Sequence, residues 1–68
     1  LLSEVRIDIF DVTGRLIKKL VDGDFQAGIY FVDWDGEDDW NEKVSSGIYF
    51  YQIRAGNFSQ SIKMVLIK

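Results

Sequence analysis

The chain has 68 residues, a formal net charge of −3 at pH 7, and no cysteine, histidine or proline. Its length allows one small domain, and its 47% hydrophobic content predicts a packed core rather than disorder. The missing histidine removes the commonest general base, and the negative charge disfavours nucleic acid as a partner. No apolar run approaches the roughly 20 residues of a membrane-spanning helix.

The first third of the chain predicts two strands joined by a tight turn. Residues 5–10 alternate between apolar and polar, as expected of a half-buried strand. Asp11–Gly14 is predicted to be a turn, because Asp suits its first position and Gly accepts a positive φ. Residues 15–21 are predicted to be an edge strand, since the adjacent Lys18 and Lys19 discourage further strand pairing. A short helix is the alternative for that segment.

The middle of the chain predicts a third strand and then the longest connection. Residues 29–35 alternate large apolar side chains with others, and Trp34 is expected to be the largest single core element. Residues 36–46 are rich in acidic side chains and contain a second tryptophan, Trp40. This segment is predicted to be a loop.

The last third predicts a hairpin. Residues 48–55, bounded by Gly47 and Gly56, are rich in aromatic and β-branched side chains and are predicted to form a central strand. Gly56-Asn57 is typical of a two-residue hairpin turn before residues 58–67. Five strands with regularly spaced turns predict an all-β antiparallel sandwich. Alternation predicts one common core, made of Val5, Ile7, Ile9, Tyr30, Val32, Trp34, Tyr49, Tyr51, Ile53, Ile62, Met64 and Leu66. The Tyr49/Tyr51 pair is predicted either to lie in this core or to supply a hydroxyl that bonds loop backbone as a tyrosine corner.

Six short motifs occur in order along nearly the whole chain, and together they carry a resemblance. They are Ile9–Leu16, Ala27-Gly28, Trp34-Asp35-Gly36, Val44–Tyr51, Ala55-Gly56 and Lys63–Leu66. In this order they resemble the Ig-like module shared by the flagellar hook-capping protein and the C-terminal sorting domains (type A) of the type IX secretion system. The resemblance implies an Ig-like or fibronectin-III-like β-sandwich, located outside the bacterial cytoplasm at the cell surface or secreted, with no catalytic residues.

Similar family members usually carry one or two further strands at the N-terminus. The resemblance therefore implies that residues 1–68 are a single domain without the family's first strand and form the C-terminal part of a longer protein. We expect that strand either upstream of Leu1 or from another copy, paired beside residues 5–10 or 58–67. The chain is accordingly expected to be part of a larger assembly or a homo-oligomer.

The acidic loop supplies weak calcium candidates, because carboxylate oxygens are the ligands that calcium prefers. They are Asp35, Glu37, Asp38 and Asp39. Gly36 comes too early for the helix-loop-helix calcium pattern, so a solvated loop whose acids cap its own backbone is favoured. No cofactor is predicted.

Four residues are candidates for interaction: Trp40, Phe10, Lys18 and Lys19. Trp40 stands in a polar loop, and exposed tryptophans are enriched in binding hot spots. The alternative is that it folds back over Val44 or over the end of the sandwich. A domain this small has little room for a catalytic cleft, so we expect no enzyme. The favoured function is a secretion-sorting or surface-attachment domain that binds secretion or anchoring machinery. The alternatives are a self-assembling extracellular subunit completed by strand exchange, and a carbohydrate-binding module using Trp40.

Overall fold

The structure, a computed structural model, describes residues 2–67. Its strands are β1 (Leu2–Asp11), β2 (Leu16–Gln26), β3 (Gly47–Ala55) and β4 (Phe58–Leu66). They form one antiparallel sheet in the order β2-β1-β3-β4, which leaves β2 and β4 at its edges. An open edge beside residues 5–10 is therefore wrong, because β1 is paired on both sides, whereas the alternative beside residues 58–67 is an edge. The described residues contain no helix, so the all-β antiparallel class is confirmed and the helix alternative for residues 15–21 is wrong. This sheet is consistent with part of an Ig-like sandwich.

The predicted turn between β1 and β2 is confirmed and is held by one carboxylate. Asp11 Oδ1 accepts hydrogen bonds from the Thr13 amide (2.9 Å), the Thr13 hydroxyl (2.6 Å) and the Arg15 amide (3.1 Å). Gly14 has a φ of 86°, which L side chains rarely adopt. The Thr13 hydroxyl, helped by these amides and the Arg15 guanidinium, holds the pKa of Asp11 below its usual value.

The predicted hairpin at Gly56-Asn57 is also confirmed. Ala55 pairs with Phe58, so two residues make the connection. Gly56 has a φ of 60°, whereas Asn57 is not among the residues with positive φ. A positive φ at the first central residue alone is the pattern of a type II′ turn, whose twist matches that of the flanking strands. The turn sets β3 and β4 in a register without a bulge.

The predicted third strand, residues 29–35, is wrong. This segment belongs to no strand, and Tyr30 and Val32 are 53% and 47% exposed, so they are not core residues either. An amphipathic extended pattern becomes a strand only beside a neighbour that satisfies its backbone hydrogen bonds. Within residues 2–67, no second sheet is present to supply that neighbour.

The predicted core is confirmed at its centre, and its side chains become more exposed toward both ends of the strands. Ile9 and Tyr49 are buried, at 1% and 7% exposure. Trp34 packs on this centre from the loop. Half-buried residues extend the same face of the sheet, which we call the core face: Val5, Ile7, Tyr51, Ile53, Ile62, Met64 and Leu66. The loop covers only one end of the core face.

The third buried hydrophobic residue, Ile17 at 8% exposure, was not predicted. The register between β1 and β2 shifts twice, between Ile7 and Asp8 and between Ile9 and Phe10. Each irregularity changes which side chains of β2 point to the core, so simple alternation does not find Ile17. The predicted edge position of this strand is nonetheless confirmed.

Candidate interaction site

The acidic loop ends in a tight turn that is capped by Asp38. Its Oδ1 accepts hydrogen bonds from the Trp40 amide (2.9 Å) and the Glu42 amide (3.0 Å). Asn41 takes the left-handed conformation, with a φ of 63°. Asparagine tolerates this conformation better than most residues, because its short side chain bonds locally. The backbone that carries Trp40 is therefore fixed by hydrogen bonds on both sides.

The same turn is docked on β2. The Asp39 amide donates to the carbonyl of Ile17 (3.2 Å), and the Lys19 amide donates to the Asp39 carboxylate at 3.2 and 3.4 Å. These bonds use backbone groups of β2 that point away from β1. The loop thus covers part of one sheet edge, and it places Lys19 beside the turn that carries Trp40.

The other acidic candidates also serve the loop itself. Asp35 Oδ1 accepts from the Glu37 amide at 3.0 Å, and Glu37 forms an ion pair with Lys43 at 3.2 Å. The backbones of Glu37 and Lys43 pair as an isolated bridge. Among residues 2–67, no group of three or more acidic, His or Cys side chains is arranged to hold a metal ion. The observed hydrogen bonds support the capping interpretation of the loop.

A pair of substitutions at Asp38 separates capping from calcium binding. Asp38→Ala removes the acceptor for two amides, so we expect it to lower the free energy of unfolding by about 1–2 kcal/mol. Asp38→Asn keeps an oxygen at the Oδ1 position, so it should lower the free energy of unfolding by clearly less. Thermal melts of both variants, with and without millimolar calcium, check this. A melting temperature of the unsubstituted chain that rises with calcium, and no longer rises in Asp38→Asn, would contradict the capping interpretation.

Trp40 is 79% exposed at the tip of this turn, so it does not fold back over Val44, which instead packs on the core. A large aromatic side chain on a fixed backbone loses little conformational entropy when a partner binds it. This geometry supports the prediction that Trp40 contacts another molecule.

The base of the loop is anchored in the core by two aromatic residues. Trp34 Nε1 donates to the carbonyl of Glu37 (2.9 Å), and its ring meets that of Tyr49 edge-on, with centroids 5.2 Å apart. The Tyr49 hydroxyl donates to the carbonyl of Ser45 at 2.7 Å, which confirms the predicted tyrosine corner. Both ends of the loop are therefore held by the same two rings, of which Tyr49 is buried and Trp34 is half-buried.

The remaining interaction candidates do not all lie beside Trp40. Phe10 pairs with Phe50 and is half-buried on the sheet face opposite the core face. Lys18 is half-buried opposite Ile9, whereas Lys19 is exposed beside the acidic turn. The structure thus brings Lys19 and Trp40 to the same end of the molecule and leaves Phe10 apart.

The uncovered part of the core face forms an apolar cavity that sequence reasoning did not predict. It has a volume of about 550 Å³ and lies between the sheet and the extended residues 30–34. Ile7, Ile53 and Met64 line its floor, and Tyr30 and Val32 line one wall. The signal in the sequence was the alternation over residues 29–35, which indicated a second layer that this part of the chain does not complete.

The family model for the FlgD Ig-like domain matches residues 2–59. The chain belongs to this family. The match supports the hook-capping part of the resemblance and does not extend to the type IX sorting domains, so that part stays a prediction. FlgD Ig-like domains are structural modules without catalytic function, and their hook association implies an exported component. No curated protein and no solved structure matches the chain.

None of the described residues forms a helix that is long and apolar enough to cross a membrane.

Proposed function

We propose that this FlgD Ig-like domain is a structural binding module of an exported, appendage-like assembly and that it contacts other protein subunits through Trp40. The observation that carries the proposal is the 79% exposure of Trp40 on a turn whose backbone is fixed by Asp38 and docked on β2. Central interface positions in protein complexes favour such rigid aromatic residues. The family supplies the structural, non-catalytic setting.

A protein partner fits the surroundings of Trp40 better than a sugar does. Asp38 and Asp39 directly precede Trp40 in sequence, and Asp38 Oδ1 and both carboxylate oxygens of Asp39 already accept backbone hydrogen bonds. A carbohydrate site needs free polar groups around its aromatic platform to fix the orientation of the sugar. A protein surface with basic and apolar side chains would complement both the ring and the residual negative charge. The sorting function would require the partner to be secretion or anchoring machinery.

The test is site-specific photo-crosslinking in cells that produce the whole protein. A photoreactive amino acid at Trp40 should crosslink to a subunit of an extracytoplasmic structure, whereas one at Val12 should not. Val12 is a matched control, because it is also exposed (66%) and lies in a turn. Crosslinks from Trp40 to secretion machinery would support the sorting function instead. Equal crosslinking from both positions, or none from either, would overturn the role of Trp40.

A fluorescence titration distinguishes the proposed protein binding from the carbohydrate-binding alternative. Adding bacterial surface oligosaccharides should leave Trp40 emission unchanged, measured in a Trp34→Phe background so that one tryptophan reports. A saturable change, together with oligosaccharide binding in calorimetry that Trp40→Ala abolishes, would favour carbohydrate binding over the proposed function.

A further inference from the structure

We infer that β4 is a self-complementary edge through which two copies of this chain pair antiparallel, joining their sheets into one across a two-fold axis. The inference rests on the proposed structural function and names one partner for it, a second copy. It concerns the sheet edge opposite to the one beside Trp40. The two interactions can therefore succeed or fail separately.

The two edges of the sheet differ in how well they resist pairing. At β2 the edge carries Lys18 and Lys19, two irregularities of register and the docked Asp39. Such features are the ones by which proteins prevent edge-to-edge association. In contrast, β4 pairs with β3 over nine residues without a shift of register, and Lys63 is the single charged residue in it. A long, regular and weakly charged edge is a template for another strand.

The backbone groups that β4 offers can be assigned from the neighbouring ladder. The Gly56 amide donates to the carbonyl of Glu4, so Gly56 points toward β1. Because successive residues of a strand point their backbone groups in opposite directions, Ala55 and its partner Phe58 bond to each other. Along β4, the residues that point outward are then Ser59, Ser61, Lys63 and Val65. Two copies would exchange about eight backbone hydrogen bonds through these positions.

One register suits this pairing. With Ile62 opposite Ile62 of the second copy, the strand overlaps over its whole length, from Phe58 opposite Leu66, and Ser61 lies opposite Lys63. No two charges of the same sign then face each other. A shift that puts Lys63 opposite itself would be unfavourable, since like charges directly opposite destabilise a sheet. A one-residue slip would pair the core face of one copy with the other face of its partner.

The same register brings apolar side chains of the two copies into contact. Phe58 (55% exposed) would pack on Leu66 of the second copy on the core face, and Val65 (61% exposed) would be covered in part on the opposite face. Exposed apolar side chains at both ends of β4 thus gain contacts at once.

The association is tested on the unsubstituted 68-residue chain by light scattering and sedimentation over a range of concentrations. We expect a concentration-dependent dimer, and a chain that stays monomeric at millimolar concentration would overturn the inference. Ser61→Lys places two pairs of like charges across the axis and should weaken the dimer about fivefold or more. Ser61→Glu should keep or strengthen it, because the introduced carboxylate faces Lys63. Gln26→Lys makes the same change of charge on β2 and should leave the dimer unchanged.

The register is tested with single cysteines, since the chain has none of its own. Ile62→Cys places the two thiols opposite each other at a pair without backbone hydrogen bonds, where side chains approach most closely. Mild oxidation should therefore give a disulfide-linked dimer. Gln60→Cys lies on the same face, but its two thiols would be about 14 Å apart along the strands, and it should not crosslink. Equal crosslinking of the two variants would contradict the register.

Discussion

Trp34→Ala is expected to lower the free energy of unfolding by about 3 kcal/mol, near the lower end of the range for removing a tryptophan from a core, because Trp34 is half-buried. The substitution removes the edge-on contact with Tyr49 and the hydrogen bond to the Glu37 carbonyl. It therefore opens the core and frees the base of the acidic loop together. A domain of this size has only about 5 kcal/mol in total, so the variant should keep about 2 kcal/mol and unfold at a clearly lower denaturant concentration.

The matched control is Trp40→Ala, which removes the same side chain from an exposed position. It should change stability by no more than about 0.5 kcal/mol. Denaturant melts followed by far-ultraviolet circular dichroism measure both variants without depending on tryptophan fluorescence. If the two substitutions cost the same, either Trp34 is not a core residue or Trp40 is not exposed. The comparison thus checks the basis of the proposed function as well as the fold.

Ile9→Ala should have an effect of similar size, about 3–4 kcal/mol. Ile9 is the most completely buried side chain described, at 1% exposure, and lies between Tyr49, Ile17 and the neighbouring strands. The strands and the loop around Ile9 have little freedom to relax into the space that the smaller alanine side chain would leave. Ile9→Val, which removes one methylene, should cost about 0.5–1.5 kcal/mol.

Ile29→Ala is the control for this series, because Ile29 is 88% exposed and lies in the segment that the sequence pattern predicts to be a strand. We expect a change within about 0.5 kcal/mol. A cost comparable to that of Ile9→Ala would show that residues 29–35 are buried in solution by a second layer. Chemical denaturation of the three variants under one set of conditions gives the whole comparison.

Much of the candidate site could be predicted from local chemistry. The left-handed Asn41, the capping acids and the bond from Tyr49 to loop backbone each involve residues close in sequence, where side-chain reach and backbone preference decide the structure. The docking of Asp39 on Lys19 could not be predicted, because the two residues are 20 positions apart and their meeting depends on how the loop crosses the sheet. The exposure of Trp40 follows from that same crossing.

The sequence by itself determined the turns and the extended segments of this protein. Gly14, Gly56 and the alternating side chains of residues 5–10 act within a few residues, so their patterns translate directly into structure. Only the tertiary structure decided which extended segments became strands. Residues 29–35 also have the aromatic and β-branched side chains of a strand, but a strand requires a neighbour to accept its backbone hydrogen bonds, and the described chain provides one for β1 and not for them.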